Sequence, residues 1–415
     1  MNMSLYGLNG RNFINFSYDS FQVILMDIGK FIAEFDKNNF ISPDYKNSNL
    51  SVIRDIVNQN KEKRLGKKEK NVFLLIDGLG YNLVKKVFNS EDITEKYGAM
   101  TFDKVSTVFP STTPAAMTSL ETGKSPSEHG IVGWHTYSKE LGASITPYLD
   151  SPSMSSSLKL SKAGIKTIIP EPDILIKAAE SNNIMTLYDE TISYIAGKRV
   201  RANCLNEKYA TQLDMLIRLK NAINEDRQQF IFVYYPTIDH LGHLYGPSSE
   251  VVKTSIMSFF NDLKEIVLPA LTSSNYNLII TADHGLINVE KTINIDSRSE
   301  IMKCVSFPPW GDTRIRYLNV LPGKMEALEN YINENYEDDI ILLNSESLIQ
   351  TGIFGNREIS DDIRDRFGTH ILLSRSNSIM LYEYPKETPY KGPNTLGSHS
   401  GLTKDEMEVP LIVFE

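Results

Sequence analysis

Cysteine and long apolar runs are what this sequence of 415 residues has least of. Its two cysteines are too few for a disulfide framework and do not have the spacing of a metal site. The best apolar run near the N-terminus, residues 21–26, is closed by Asp27 and falls far short of the roughly 20 residues of a membrane helix. We therefore expect a soluble protein of the reducing cytoplasm, without a signal peptide and without membrane association.

Positive charge is also scarce. Lys and Arg number 43 against 52 Asp and Glu, which gives a net charge of −9. Proteins that bind polymeric nucleic acid need clustered positive charge to meet the phosphate backbone, so the composition argues against that function. One local basic run, residues 61–70, precedes the first strong strand, and we interpret it as a solvated linker rather than a binding patch.

The chain does contain several short, continuous apolar runs with helical patterns between them. Runs of this kind are typical of strands that are buried on both faces, and they lie at residues 72–76, 230–235, 277–280 and 409–414. Between two of them, residues 256–267 repeat apolar side chains at helical spacing. This alternation predicts an α/β fold with a mainly parallel central sheet flanked by helices.

Changes in the pattern of apolar and polar residues along the chain predict three parts. Residues 1–65 form an N-terminal leader, and residues 66–295 and 388–415 form the catalytic core. Residues 296–387 are expected to form an inserted α+β cap domain. Its predicted elements are a helix at 322–336 and strands at 314–320, 339–343, 370–373 and 378–384.

Polar residues cluster where the predicted core strands end. Because ligands of open α/β sheets bind beyond the carboxyl ends of the strands, most of these residues are expected on one rim. Three carboxylates and three imidazoles suit zinc, and they are enough for two ions with three ligands each. The residues are Asp77 after the first strand, Asp239 and His243 after the second, Asp283 and His284 after the third, and His399 before the last.

Each of these residues alone has a plainer interpretation, as a cap, a turn residue or part of a helix surface pair. The whole set is harder to explain in that way. The chain has only seven histidines, and three of them stand at strand ends beside a carboxylate or a glycine-rich turn. We assign structural roles to the other four, which are His129, His135, His240 and His370.

Residues 108–120 supply a candidate nucleophile. A strand is expected to end near Phe109 and a helix to begin at Pro114, since Pro suits the first helical position. Thr113 is then the N-cap residue. A hydroxyl at the positive end of a helix lies where phosphate binds well, and a nearby metal ion favours its alkoxide. Without the metal ligands Thr113 would be only a helix cap; with them we predict that it is the nucleophile.

In their order and spacing, these motifs resemble the alkaline phosphatase superfamily, and most of all its nucleotide pyrophosphatase/phosphodiesterase branch. The resemblance covers about residues 70–295 and 390–415 and leaves out the leader and the cap. The motifs are Asp77 at a strand end, Phe-Pro-Ser-Thr-Thr-Pro at 109–114, Thr-Gly at 122–123, Glu-His-Gly-Ile at 128–131, Asp-x-x-x-His at 239–243, Asp-His-Gly at 283–285 and Gly-Ser-His at 397–399.

The resemblance implies a two-zinc hydrolase that acts through a phosphothreonine intermediate on Thr113. Manganese is the alternative metal, because carboxylate-rich sites also accept it. Thr112 is the nucleophile we would suspect if the register of the motif were wrong. The implied ligands are Asp77, Thr113, Asp283 and His284 for one zinc, and Asp239, His243 and His399 for the other.

One departure from this branch bears on the substrate. Its diesterases carry an Asn three residues after the nucleophile that binds a non-bridging phosphate oxygen, and this chain has Ala116 there. Another donor must serve, for which the backbone N–H of Thr113 is a candidate. Three residues after the nucleophile helix are candidates to line the substrate pocket, although core packing is the simpler explanation for each. They are Trp134, His135 and Tyr137.

The expected substrate is a small phosphate ester, such as a nucleotide, and the sequence favours a diester over a monoester. The extra negative charge of a monoester is usually met by Arg or an added cation, and no Arg lies between Arg64 and Arg199. A phosphomonoesterase or phosphomutase on the same fold is the first alternative. A metal-bound module that recognises phosphorylated ligands without turnover is the second. The oligomeric state stays open.

Overall fold

The computed structural model describes residues 18–58, 63–88, 90–155, 157–165, 168–181, 183–190, 204–296, 298–384 and 395–415. The α-helices in these ranges are Tyr18–Asn38, Asn49–Val57, Tyr81–Val87, Ser90–Tyr97, Thr113–Thr122, Pro126–His129, Asp173–Ser181, Gln212–Glu225, Thr237–Tyr245, Glu250–Ile266, Leu268–Thr272, Glu300–Lys303, Met325–Tyr336, Ser345–Gln350, Asp361–Arg364 and Lys404–Met407. The strands are β1 Lys70–Ile76, β2 Thr101–Ser106, β3 Thr136–Ser138, β4 Ala143–Thr146, β5 Ser151–Pro152, β6 Ile184–Asp189, β7 Cys204–Tyr209, β8 Phe230–Tyr235, β9 Tyr276–Thr281, β10 Ile287–Asn288, β11 Lys291–Asn294, β12 Trp310–Asp312, β13 Ile315–Leu318, β14 Ile340–Asn344, β15 His370–Ser374, β16 Ser378–Leu381, β17 Gly397–Ser398 and β18 Glu408–Phe414.

The largest sheet has seven strands in the order β2-β18-β9-β1-β8-β6-β7. β1 is parallel to both β8 and β9, and β6 is parallel to β8 and β7. β18 runs antiparallel to β9 and β2. The four apolar runs are therefore strands of one mainly parallel sheet, and the predicted α/β fold is confirmed.

Helices cover this sheet with apolar faces. The helix Glu250–Ile266 buries Ile256, Phe259, Phe260 and Leu263, the side chains whose spacing predicted it. Within the sheet, the rings of Phe73 and Phe232 stack at 5.6 Å between centroids. Aromatic side chains bury large apolar areas, so the centre of the sheet is a rigid support for the residues that follow its strands.

A second sheet lies in the segment predicted as the cap. It is antiparallel, with the order β12-β13-β15-β14. The helix Met325–Tyr336 packs on it through Leu328 and Ile332. This helix begins three residues later than predicted, because Pro322 and Gly323 form the turn before it. β16 pairs with β11 instead of joining this sheet. The domain boundaries themselves stay a prediction.

The predicted leader packs onto both sheets in its described part; residues 1–17 and 59–62 lie outside the described residues. Phe31 and Phe40 are buried in the same cluster as Trp310 and Leu402. Glu34 makes an ion pair with Arg375, with 2.7 Å between Oε1 and Nη2. The described part of the leader is thus a packed part of the fold. No helix in the described ranges has the length and apolar character needed to cross a membrane.

Candidate active site at the rim of the central sheet

Three adjacent parallel strands deliver polar residues to one rim of the central sheet. Asp77 follows β1 directly, and Asp283 and His284 lie just beyond the end of β9. The helix Thr237–Tyr245 starts two residues after β8 and carries Asp239 and His243. Because β8, β1 and β9 are parallel neighbours, their carboxyl ends meet at the same edge.

Asp77, Asp283 and His284 form what we call the inner group. Their ligand atoms lie within 4.8 Å of one another. The Nε2 of His284 is 3.3 Å from Asp283 Oδ2 and 3.5 Å from Asp77 Oδ1. Backbone N–H groups of Gly78 and His284 donate to the other oxygen of Asp283, and the hydroxyl of Tyr234 donates to Asp77 Oδ2. Each carboxylate is therefore fixed through one oxygen and turns the other toward His284.

Asp239, His243 and His399 form what we call the outer group. Asp239 lies between the two imidazoles. Its Oδ2 is 3.3 Å from His243 Nε2, and its Oδ1 is 3.8 Å from His399 Nε2. The Nδ1–H groups of His243 and His399 donate to the carbonyls of Gly397 and Ser111, at 2.7 and 3.1 Å. Such bonds fix the ring and leave Nε2 free for a metal ion.

The two groups meet at His284. Its ring stacks on that of His399 with 3.8 Å between centroids, and the ligand atoms of Asp239, His284 and His399 also lie within 4.8 Å of one another. All six predicted ligands from the core are thus brought together. The residues do not separate into two sets of three by distance alone, because His284 belongs to both sets.

The oxygens of this site fit a divalent cation. Among the described residues, Asp77 Oδ1, Asp239 Oδ1 and Asp283 Oδ2 are buried and have no hydrogen-bond partner. A buried, unpaired carboxylate oxygen carries a large desolvation cost. Three such atoms around two imidazoles are the pattern that hard cations and zinc satisfy.

The electrostatics of the cluster point the same way. Burial, followed by Asp283 and Asp239, raises the pKa of Asp77, and burial and Asp239 raise that of Asp283 to about 6. Burial and His284 lower the pKa of His399 to about 4. Burial would lower the pKa of His243, but Asp239 raises it to about 9. The raised pKa values of Asp77 and Asp283 reflect carboxyl groups crowded together in a buried site, and a bound cation would favour their charged forms.

Thr113 and Thr112 are the two candidate nucleophiles of the motif at residues 109–114, and their surroundings differ. Thr113 Oγ1 lies 3.1 Å from His284 Nε2, at the edge of the inner group. The hydroxyl of Thr112 is buried and donates to Asp312 Oδ2 at 2.6 Å. Only the hydroxyl of Thr113 therefore faces the candidate metal ligands.

The local structure before the helix differs from the prediction in two respects. The helix Thr113–Thr122 has Thr112, not Thr113, as its N-cap residue, because Thr113 already has helical geometry and Pro114 takes the second position. β2 ends at Ser106 rather than near Phe109, since its partner β18 begins at Glu408, opposite Ser106. Thr113 still projects from the first turn of a ten-residue helix.

The three candidate pocket residues have different environments. Tyr137 packs against Phe307 and Trp310, at 5.0 and 5.2 Å between ring centroids, as expected of a core residue. The imidazole of His135 lies 2.8 Å from Ser153 Oγ and against the ring of Tyr384. Trp134 is 38% exposed. A role in substrate binding stays a prediction for all three.

Two residues at the site carried no signal in the sequence. Asp312, at the end of β12, accepts the hydroxyl of Thr112 and so binds the turn at residues 110–112 before the candidate nucleophile, which we call the nucleophile turn. Asn49, in the predicted leader, is fully buried, and its amide donates to the carbonyl of Ala282, next to Asp283, at 2.9 Å. Neither lies in a motif, and each contacts the site across more than 190 residues of chain.

Comparison with known proteins gives a family and a fold. A model of the type I phosphodiesterase / nucleotide pyrophosphatase family matches residues 71–388. No curated protein sequence matches the chain significantly. The similar solved structures include murine ectonucleotide pyrophosphatase/phosphodiesterase 5, with 16% identity, 83% of this chain and 87% of that chain covered, and a TM-score of 0.61.

Two further solved structures contain ligands. One is an inactive variant of the same murine protein in complex with AMP, at 15% identity, 83% and 88% coverage of the two chains and a TM-score of 0.61. The other is phosphonoacetate hydrolase from Sinorhizobium meliloti 1021 in complex with phosphonoformate, at 14% identity, 83% and 90% coverage and a TM-score of 0.58. At these identities the structural likeness establishes the fold.

Proposed function

Because the chain belongs to the type I phosphodiesterase / nucleotide pyrophosphatase family, we propose that it is a metal-dependent phosphodiesterase that uses Thr113 as its nucleophile. Family membership makes it a hydrolase of phosphoric esters. The finer proposal, a two-zinc enzyme with a phosphothreonine intermediate, rests on the arrangement of the rim. The observation that carries it is the 3.1 Å separation of Thr113 Oγ1 from His284 Nε2, beside buried and unpaired carboxylate oxygens.

We assign Asp77, Asp283, His284 and Thr113 to one ion, and Asp239, His243 and His399 to the other. Zinc is proposed because the set mixes imidazoles with carboxylates, and manganese is the alternative. When bound, such ions would activate the Thr113 hydroxyl and offset negative charge on the attacking and leaving oxygens.

The chain itself supplies the nucleophile and its orientation. Thr113 projects from the N-terminal turn of the helix Thr113–Thr122, where backbone N–H groups are not bonded within the helix and favour a phosphate. We propose that the backbone N–H of Thr113 binds the non-bridging oxygen, since Ala116 has no side-chain donor. The Thr113 oxygen attacks phosphorus, the bond from phosphorus to the leaving oxygen breaks, and the first product departs with the proton. The group left on Thr113 keeps its second ester, as a nucleotidyl group for a nucleotide diester, and water then hydrolyses its bond to Thr113.

We propose a small phosphate ester, with a nucleotide group as the leading candidate, as substrate. The AMP bound by the murine protein and the phosphonoformate bound by the bacterial hydrolase are both small molecules that carry a phosphoryl or phosphonyl group. The net charge of −9 gives no support to polymeric nucleic acid as a partner. The cytoplasmic location expected from the sequence stays a prediction.

A phosphomonoesterase or phosphomutase is the second candidate, and Ala116 is the observation that favours it. Ala116 is fully buried in the first turns of the nucleophile helix, where the diesterases of the branch carry an Asn. A diesterase needs a substitute for that side chain, whereas a monoesterase does not need that particular donor.

A substrate panel distinguishes the two candidates. Zinc-loaded protein is assayed with bis-p-nitrophenyl phosphate, p-nitrophenyl phosphate and thymidine 5′-p-nitrophenyl phosphate, beside a Thr113→Ala control. The proposal predicts that the diesters are cleaved faster and the nucleotide diester fastest. Faster cleavage of the monoester would replace the first candidate by the second. If the wild-type protein binds zinc but cleaves none of the three, a phospho-ligand binding module would gain support.

A further inference from the structure

One buried carboxylate near the rim has no part in the assignments above. Asp312, at the end of β12, accepts three hydrogen bonds from protein groups. Its Oδ2 accepts the hydroxyl of Thr112 at 2.6 Å and the backbone N–H of Trp134 at 3.2 Å. Its Oδ1 accepts the backbone N–H of Thr313 at 2.7 Å. Only donors surround this carboxylate, so it is held as an anion in a fixed orientation.

The bond to Thr112 bears directly on the proposed nucleophile. Thr112 is the N-cap residue of the helix Thr113–Thr122, yet its side chain makes no capping hydrogen bond. N-cap hydroxyls normally accept from the backbone N–H groups of the first turn. Here the hydroxyl donates to Asp312 instead. The position of the backbone from which Thr113 projects is therefore fixed from β12, and not by the helix's own capping.

The two residues that follow Asp312 hold the other side of the site. Thr313 Oγ1 lies 2.7 Å from Ser398 Oγ, and the backbone N–H of Arg314 donates to Ser400 Oγ at 3.0 Å. Ser398 and Ser400 flank His399 of the outer group. One turn between β12 and β13 thus bonds both the nucleophile turn and the loop that carries His399.

The anchor of this turn is itself rigid. The Arg314 side chain is fully buried, pairs with Glu406 at 2.7 Å and donates to the carbonyls of Ser376 and Ser378. Buried, charge-assisted bonds of this kind are strong and directional. A displacement at Asp312 is therefore not absorbed by movement of the turn.

We propose that Asp312 is a positioning residue for catalysis: through Thr112, it holds the Thr113 hydroxyl against the inner group. We do not assign it as a metal ligand. Each of its oxygens already accepts a hydrogen bond from a protein donor, and it belongs to neither group of candidate ligands found among the described residues. This inference rests on the proposed function, since it concerns the same nucleophile.

The chemistry of the contact suggests the variants. Asp312→Asn keeps the shape but must turn its NH₂ group toward the backbone N–H of either Thr313 or Trp134, so one bond becomes a repulsion and the side chain that holds Thr112 is displaced. Thr112→Val keeps the volume and removes the hydroxyl. Thr112→Ser keeps the hydroxyl and is the conservative variant expected to restore function.

The kinetic test uses the full, zinc-loaded chain and thymidine 5′-p-nitrophenyl phosphate. Asp312→Asn and Thr112→Val are each expected to lower kcat about 10- to 100-fold, with KM within about twofold, because a misplaced reacting group costs rate rather than binding. The double variant is expected to be no slower than the slower single variant, since both substitutions are proposed to act through the contact between Asp312 and Thr112. Thr112→Ser should retain nearly wild-type kcat and full zinc content.

A matched control separates positioning from general loss of stability. Thr186 of β6 is also fully buried and donates a 2.6 Å hydrogen bond, to Asn206, but it stands near the far edge of the central sheet. Thr186→Val should lower the melting temperature about as much as Thr112→Val and leave kcat unchanged. An equal loss of kcat in Thr186→Val would overturn the positioning role.

Two other results would overturn the inference. The first is loss of a zinc ion in Asp312→Asn, measured by metal analysis, which would make Asp312 part of metal binding. The second comes from crystal structures of the wild type and Asp312→Asn. We expect Thr113 Oγ1 to move away from His284 Nε2, and an unmoved Thr113 would contradict the inference. This structural result needs no turnover, so it stands apart from failure of the proposed function, which would appear as an inactive wild type.

Discussion

The inner and outer groups of the rim differ most clearly in their contact with solvent. The side chains of Asp77, Asp283 and His284 are 0–4% exposed. In the outer group, exposure rises from 9% at His399 to 15% at Asp239 and 34% at His243. The inner group follows two buried strands, whereas the outer group stands on a short helix and a loop. The rim thus has a closed side at the inner group and an open side at the outer group, which suit the proposed ion and the proposed entry of substrate respectively.

The largest expected effect on activity is that of removing the Thr113 hydroxyl, beside the inner group. Thr113→Ala removes the nucleophile, and kcat should fall by about 10³-fold or more, as in enzymes that lose a catalytic nucleophile. Thr113→Ser keeps a hydroxyl and is the matched control, expected to retain measurable turnover. Steady-state kinetics with a diester, beside zinc analysis, provide the measurement. Undiminished turnover in Thr113→Ala would show that Thr113 is not the nucleophile.

We expect that loss of a ligand in the inner group lowers metal affinity and activity more than loss of a ligand in the outer group. Asp283→Asn leaves a buried site without one of its charges and should lose an ion that excess zinc does not restore. His243→Gln removes a proposed ligand from a partly open site. The loss of metal affinity should be at least the roughly 10- to 100-fold that loss of a residue supporting a ligand costs, and high zinc should recover it. Zinc titrations of both variants, followed by activity, test this order. Equal recovery of the two variants would mean that burial does not distinguish the groups.

During metal removal, the ion of the outer group should leave before the ion of the inner group. A chelator such as dipicolinate is expected to take one ion quickly, from the outer group, and the second slowly, because ligands in the inner group are buried. Chelation is stopped at successive times, and the metal content and activity of each sample are measured to resolve the two phases. Removal of both ions in a single phase would show that burial does not make the inner ion slower to leave than the outer one.

The smallest effect is expected at a support of the inner group. The buried amide of Asn49 donates to Ala282 O at 2.9 Å and to Thr107 Oγ1 at 3.3 Å, and the hydroxyl of Thr107 in turn donates to the carbonyl of Asp283. Asn49→Ala leaves these groups unpaired and should cost about 1–3 kcal/mol of unfolding free energy. Chemical denaturation measures this cost.

The exposed Asn58, at the end of the helix Asn49–Val57, offers a matched control for that variant. Asn58→Ala is expected to change stability within about 0.5 kcal/mol, as surface substitutions usually do. A stability loss at Asn49 no larger than at Asn58 would show that the predicted leader does not support the inner group.

The sequence predicted those parts of the molecule that depend on local pattern. Continuous apolar runs marked the central strands, and parallel topology then placed Asp77, Asp283 and Asp239 on one rim. The local pattern also gave the helix after the nucleophile, although Thr112 rather than Thr113 is its N-cap.

The parts that were missed depend on contacts between distant segments. Asp312 meets Thr112 across 200 residues of chain, and Asn49 meets Ala282 across 233. A single Asp or Asn has no periodicity, and its partner is decided only when two sheets pack. The position of His284 between the two groups is a contact of the same kind, because it follows from the stacking of its ring on that of His399.

We propose above all that Thr113 carries the transferred group, and this can be tested by trapping that group on the protein. Zinc-loaded protein is mixed with thymidine 5′-p-nitrophenyl phosphate, quenched with acid during the first turnover and digested, and the peptides are mapped by mass spectrometry. We expect a thymidylyl adduct on Thr113 that disappears in Thr113→Ala. An adduct on another residue, Thr112 included, or a burst of p-nitrophenol without any adduct, would contradict it.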